Sequence, residues 1–151
     1  MNTSRIDHEI IYFLRRAFIP TARFGLFVVY VWFGMLKIIG VSPAGPLVHH
    51  LFDATIHFMS FNTFYILFAW FEVLIGIMFI FPKLTRWVIP LLFIHMITTF
   101  LPLVFLPSET WNGFMVLTLE GQYIIKNLVI IAVAIGIAAH VHPLPVEASH
   151  K

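Results

Sequence analysis

Lys126 stands in the stretch LEGQYIIKNLVIIAVAIGIAAH, where almost every residue after Asn127 is hydrocarbon. Gln122 lies one helical turn before it. Three more polar residues fall inside or at the edge of long apolar runs: Lys37, Glu72 and His95. An amine, a carboxylate, an imidazole and an amide are the groups that hold a carbonyl-bearing head group and exchange protons with it. Their setting makes them conspicuous. An ionised side chain at the centre of a bilayer costs at least about 2.5–3.5 kcal/mol. Glu72 therefore needs a partner or a proton, and Lys126 or Lys37 is the natural partner. The plainer alternatives are an ion pair that only keeps helices in register, and a Lys37 that snorkels to the headgroups.

The elements that must position these groups are set by composition. Of 151 residues, 60% are hydrophobic and 11% charged. So short a chain cannot bury that much apolar surface in its own core, so lipid must solvate much of it. An all-α integral membrane protein follows, with one membrane domain over residues 1–151. Four runs have the length of a transmembrane helix: about 20–40, 63–81, 86–106 and 122–139. Arg5, Arg15, Arg16 and Arg23 precede the first. Lys83 and Arg86 separate the second from the third, and Lys151 follows the fourth. The other two loops contain no Lys or Arg. The positive-inside rule puts both termini in the cytoplasm of a bacterial-type inner membrane. The same distribution argues against nucleic acid, because no basic face is assembled. The first run follows a polar, arginine-bearing leader and reads as a retained anchor.

Two segments lie outside the runs. HEIIYFLRRAFIP mixes apolar residues with two arginines and ends in proline, the pattern of an amphipathic helix on the cytoplasmic surface. SPAGPLVHHLFDATIHFMSFN turns at its Pro and Gly residues and then has room for a short outward-facing helix. Helical spacing there brings His50, Asp53 and His57 to one side, a donor set for zinc or copper. An interfacial helix rich in aromatic and histidine residues explains the same composition. The histidines of the C-terminal HVHPLPVEASHK read as part of a tail.

Within the spans the polar residues form stripes. Arg23, Tyr30, Gly34 and Lys37 share one face of the first helix, and Ala69, Glu72 and Gly76 share one face of the second. Small residues beside the acid would let a neighbouring helix approach closely. His95, Thr99 and Pro102 align on the third helix. Gln122, Lys126, Val129 and Val133 align on the fourth. Four stripes at similar depth predict one interior pocket that opens outward.

RFGLFVVYVWFGMLKIIGVSP, FEVLIGIMFIF and LTLEGQYIIKNLVII resemble, in turn, the first, second and fourth helices of the DoxX-like superfamily of small four-helix membrane proteins. The likeness runs from about Arg23 to Ala139. It implies a four-helix bundle in which Lys37, Glu72, Gln122 and Lys126 occupy family positions; His95 stands on its placement alone. The superfamily is functionally mixed. Some members are associated with thiosulfate-to-quinone electron transfer, some with oxidant resistance, and some assist other membrane proteins.

Three functions fit. In the first, a membrane quinone binds among Lys37, Glu72, His95, Gln122 and Lys126. The chain has no cysteine, so it offers no thiol relay and no thiolate-held cluster, and the electrons would come from a partner. In the second, the chain is a non-catalytic subunit or assembly factor that packs on other membrane subunits or on its own copies. In the third it holds haem b. His95 is the one histidine inside a span, so the second axial ligand would be His57, His140 or a residue of another subunit.

Overall fold

The computed structural model describes residues 3–142. The chain forms α1 (Thr3–Ile38), α2 (Gly45–Thr55), α3 (Phe61–Ile80), α4 (Thr85–Phe100), α5 (Pro102–Phe105), α6 (Pro107–Thr110), β1 (Trp111–Gly113), β2 (Val116–Leu117) and α7 (Leu119–Ala138). Four helical stretches are long and apolar enough to cross a membrane: Ser4–Ile38, Phe61–Ile80, Pro82–Phe105 and Leu119–Ala138. These correspond to the four expected runs: the first stretch begins 16 residues before the expected start at 20, and the other ends shift by a few residues. Their outer faces carry Trp32, Trp70, Phe93 and Ile97 to the exterior, so the apolar surface suits contact with lipid. The protein is a multi-pass membrane protein in this sense.

The expected separate surface helix is absent. α1 runs unbroken for 36 residues, with Pro20 inside it, a length of about 54 Å. Proline removes one backbone donor and crowds the preceding turn, yet good helix formers such as Leu14, Arg15, Arg16 and Ala17 stand on its N-terminal side. The third run is interrupted once, at Leu101 before Pro102. α2 is the anticipated loop helix. Its buried Phe52 packs on Phe61 and Phe64, with ring centroids 5.6 and 5.2 Å away.

α1 packs most extensively along α3, and α4 bridges α3 and α7. The core contains Leu26, Tyr30, Ile75, Phe79, Val88, Leu92, Met96, Ala134 and Ile137. The α1–α3 seam is close because it is lined with small residues. A Cβ on Gly34 would lie 2.7 Å from Val73 Cγ2 and 2.9 Å from the Ala69 carbonyl oxygen. One on Gly76 would lie 2.8 Å from Val31 Cγ2 and 3.0 Å from Val31 N. Arg23 pins the far end of this seam. It donates to the Phe79 carbonyl at 3.2 Å and to Thr85 Oγ1 at 2.6 Å, and Thr85 donates to the Pro82 carbonyl at 2.6 Å.

An antiparallel hairpin, β1 with β2, was not expected. It pairs Trp111 with Leu117 and Gly113 with Val116. Thr118 caps α7 by accepting from Gly121 N at 3.1 Å, and it donates to the Glu109 carbonyl at 2.7 Å. Gly121 lies against the Thr110 carbonyl, which any Cβ would overlap.

Gly76→Ala should lower stability by about 1–3 kcal/mol, because the added methyl meets backbone as well as side chain. Gly25→Ala, which meets nothing within 4 Å, should be neutral or slightly stabilising. Thermal unfolding of the two variants in one detergent compares them directly.

Candidate functional site

Three of the polar residues converge. Lys37, Glu72 and His95 are 5%, 6% and 5% exposed. Lys37 Nζ donates to both Glu72 oxygens, at 2.9 and 2.7 Å. His95 Nε2 lies 3.1 Å from Glu72 Oε1. On the other side of the ring, Nδ1 lies 3.3 Å from the Tyr30 hydroxyl and 3.4 Å from Thr99 Oγ1. A carboxylate only accepts, so Nε2 carries the hydrogen. In the neutral ring Nδ1 then accepts from a hydroxyl. The result is a continuous path, Tyr30–His95–Glu72–Lys37, that links α1, α4 and α3 and returns to α1.

Each member is placed by its helix. Tyr30 and Lys37 are two turns apart on the α1 face that Gly34 brings against α3. Glu72 sits between Ala69 and Gly76, the residues that admit α1. Thr98 and Thr99 donate back to the His95 carbonyl at 2.7 and 3.0 Å. Aromatic rings close the surroundings. Phe68 stacks on His95 at 5.2 Å and 15°, Tyr30 meets it edge-on at 5.2 Å, and Lys37 Nζ stands 5.8 Å from the Phe68 centroid. Tyr30 and Phe68 were not expected as site residues, although Tyr30 lay on the predicted stripe. Phe68 precedes Glu72 by four residues, and that spacing was the available signal.

Lys126 and Gln122 do not join the cluster. Both are exposed, and Lys126 Nζ stands 4.9 Å over the Tyr123 ring. The partner of Glu72 is Lys37. The reason lies in the α1–α7 seam. Phe18 of α1 packs on His140 at 6.2 Å, and a Cβ on Gly136 would lie 3.1 Å from Phe18 Cζ. From there Ile137, Val133, Ile130 and Lys126 form one stripe of α7. Ile137 is buried, and Val133 and Ile130 pack on the core, but Lys126 is exposed. On α1, Leu26 is buried, while Phe33, two turns further on the same face, is 45% exposed. The seam is packed at the Phe18 end, whereas Phe33 and Lys126 toward its other end are exposed.

The loop histidines do not gather as a metal centre. α2 ends at Thr55, so His57 falls outside the helix that was to align it. His50 Nδ1 turns to Glu109 Oε1 and Oε2, at 2.9 and 3.0 Å, and Asp53 faces His49 at 3.9 Å. Among the described residues no group of three or more such side chains could hold a metal ion. His95 is a poor haem ligand, because both ring nitrogens are engaged and Phe68 covers a face. His140 Nδ1 lies 2.8 Å from the Gly136 carbonyl. Of the C-terminal tail, residues 143–151 lie outside the described residues.

A groove of about 340 Å³ runs between α4, α5 and α7, lined by Phe93, Met96, Ile97, Phe100, Leu101, Val104 and Ile131. Its walls suit a hydrocarbon chain and offer nothing to a polar head group. No family model, curated protein or solved structure matches this chain.

Lys37→Met should cost about 3–5 kcal/mol, because it strands a buried carboxylate. Glu72→Gln should cost less, since an amide still hydrogen-bonds to His95. The double variant should recover part of the loss of Lys37→Met, whereas Lys126→Met and Glu72→Gln should be additive. Unfolding midpoints of the full set test this.

The hydrogen bond and charge of Glu109 raise the His50 pKa above its ordinary value near 6.5. A raised histidine pKa stabilises below the unfolded value and loses that contribution as pH rises through the folded one. The α2–α6 contact should therefore loosen on going from mildly acidic to alkaline pH. Hydrogen exchange across residues 107–118, corrected for intrinsic rates, should rise over that range in the wild type. In His50→Gln it should show no such pH dependence.

Proposed function

We propose that this chain is an inner-membrane protein, with both termini cytoplasmic, whose buried relay exchanges protons with the head group of a membrane quinone. The observation that carries this reading is the unbroken path of four titratable side chains, Tyr30–His95–Glu72–Lys37, buried in a bundle whose exterior is apolar. Structural ion pairs need two groups. A four-membered path with an imidazole in the middle is suited to proton transfer: a proton taken up at Nδ1 releases the one at Nε2 to Glu72.

The residues fit such a ligand. The open end of the α1–α7 seam gives lateral entry from lipid, with Phe33 on one wall and Tyr123 and Lys126 on the other. Ser42 adds a buried hydroxyl beside the Tyr65 hydroxyl. It supplies a donor at the same end of α1 as Lys37. A bound quinone would supply two-electron chemistry at its carbonyls, with electrons from a separate redox partner. This chain's part is to bind and orient the ring, exclude water, and move protons through His95 and Glu72. The resemblance of its first, second and fourth helices to the functionally mixed DoxX-like proteins is compatible with this reading and equally with an accessory role.

A second reading, an accessory subunit of a larger membrane complex, is favoured by one observation. The members of the relay satisfy one another, so the cluster is complete as a structural pin. Co-purification of a stable larger assembly, with no quinone in it, would support that reading.

Tyr30→Phe removes the hydroxyl at the start of the path and keeps the ring that packs on His95. It should fold with near-normal stability and retain quinone, yet slow proton-coupled quinone reduction about 10²-fold or more. Quinone extracted from the purified protein in nanodiscs checks the first part, and the rate of its two-electron reduction by an added chemical reductant checks the second. Wild-type protein devoid of quinone and unable to bind added ubiquinone or menaquinone would refute the reading.

A further inference from the structure

We propose that Lys126, with Tyr123 and Gln122, forms a binding site for the phosphate of an anionic phospholipid, at the open end of the α1–α7 seam. Lys126 is the eighth residue of α7, so its Cα lies about 10 Å inside the helix end. It is exposed, and it forms no ion pair with any described residue. A lysine that is stranded at this depth on the outside of a bundle demands an anion.

The geometry decides which anion. The Tyr123 ring lies 4.9 Å beneath the ammonium, which holds the side chain toward the helix start. That direction is the headgroup region, and a lysine stem is long enough to reach it. Gln122, exposed one turn nearer the helix end, adds an amide donor at the level of a phosphate oxygen. Tyrosine beside lysine at this level is the pairing that anchors a helix at a membrane interface. The acyl chains would lie along the exposed apolar face of α1, against Phe33 and Val29.

A second copy of this chain is the less suitable occupant. Two copies joined through this face about an axis normal to the membrane would bring Lys126 toward Lys126. The nearest acid on α7 is Glu120, six residues away, about 9 Å along the axis and on another side of the helix. A self-association would thus bury like charges with no carboxylate at their depth.

The site shares its opening with the proposed quinone entry, but its test measures lipid and not redox chemistry, so the two readings fail separately. The full chain is reconstituted in nanodiscs of equal parts phosphatidylcholine and phosphatidylglycerol. The lipid that remains bound after mild detergent extraction is then measured by mass spectrometry. The wild type should retain phosphatidylglycerol over phosphatidylcholine by about fivefold, the equivalent of roughly 1 kcal/mol for a cation at a membrane surface. Lys126→Arg should keep the preference. Lys126→Met should lose it while leaving the unfolding midpoint unchanged. Equal retention of the two lipids by the wild type, or an undiminished preference in Lys126→Met, would overturn the proposal. The chain has no cysteine, so Gln122→Cys gives a clean cross-linking probe. A cross-linked pair formed in pure phosphatidylcholine would likewise overturn the proposal and make this face a contact between copies.

Discussion

Everything in the upper bundle is arranged around one carboxylate. Glu72 sits near the middle of an otherwise apolar helix, where an unpaired charge would cost several kcal/mol. Two oxygens must be satisfied from neighbouring helices, and each neighbour must come close enough to reach them. Gly34 and Gly76 remove the side chains that would hold α1 away from α3, and Lys37 then reaches back along the seam to both oxygens. α4 contributes His95, whose own orientation is fixed by Tyr30 and by the stack of Phe68. Helix spacing, ring packing and hydrogen bonding thus answer the same electrostatic demand.

The loop end of the molecule is held by a different means. Around α6 and the hairpin, Thr118 and Trp111 bond to carbonyls that helix ends and turns leave without partners, Glu109 at 2.7 Å and Leu103 at 3.0 Å, and Thr110 Oγ1 adds a bond to the Leu106 carbonyl at 2.9 Å. Uncompensated carbonyls near hydrocarbon are costly, and these side chains relieve that cost locally. Gly121 completes the arrangement by letting α7 start directly against the Thr110 backbone. The start of α7 is therefore fixed by the loop, while its last turns are fixed by the core. Lys126 lies between the two, where neither covers it.

The spans were legible because lipid imposes a length and a hydropathy that no soluble core requires. The inward faces of α1 and α3 were legible too, since Gly34, Ala69 and Gly76 flank Lys37 and Glu72 at helical spacing. Lys126 stands outside the cluster for a physical reason. Its stripe does point toward the bundle, as Ile137, Val133 and Ile130 show, but a stripe carries no information about where the opposing helix diverges. The metal reading depends on a helix end: the spacing of His50, Asp53 and His57 brings them to one side only if α2 continues past Thr55, where it stops. The hairpin of five residues was invisible, because strands so short carry no periodicity. Pro20 reads as a boundary in the sequence, and in the structure the helix passes through it.

That continuity has a mechanical consequence. A rod of about 54 Å exceeds a hydrocarbon core of about 30 Å by so much that even a 40° tilt leaves roughly 10 Å outside. The projecting turns carry Arg5, Arg15 and Arg16 beside exposed Ile6, Ile10 and Phe13, and no other described element covers them. Lys37 and the arginine-bearing turns belong to the same axle. The helix that places the ammonium against the carboxylate is therefore also the one that reaches furthest past the hydrocarbon.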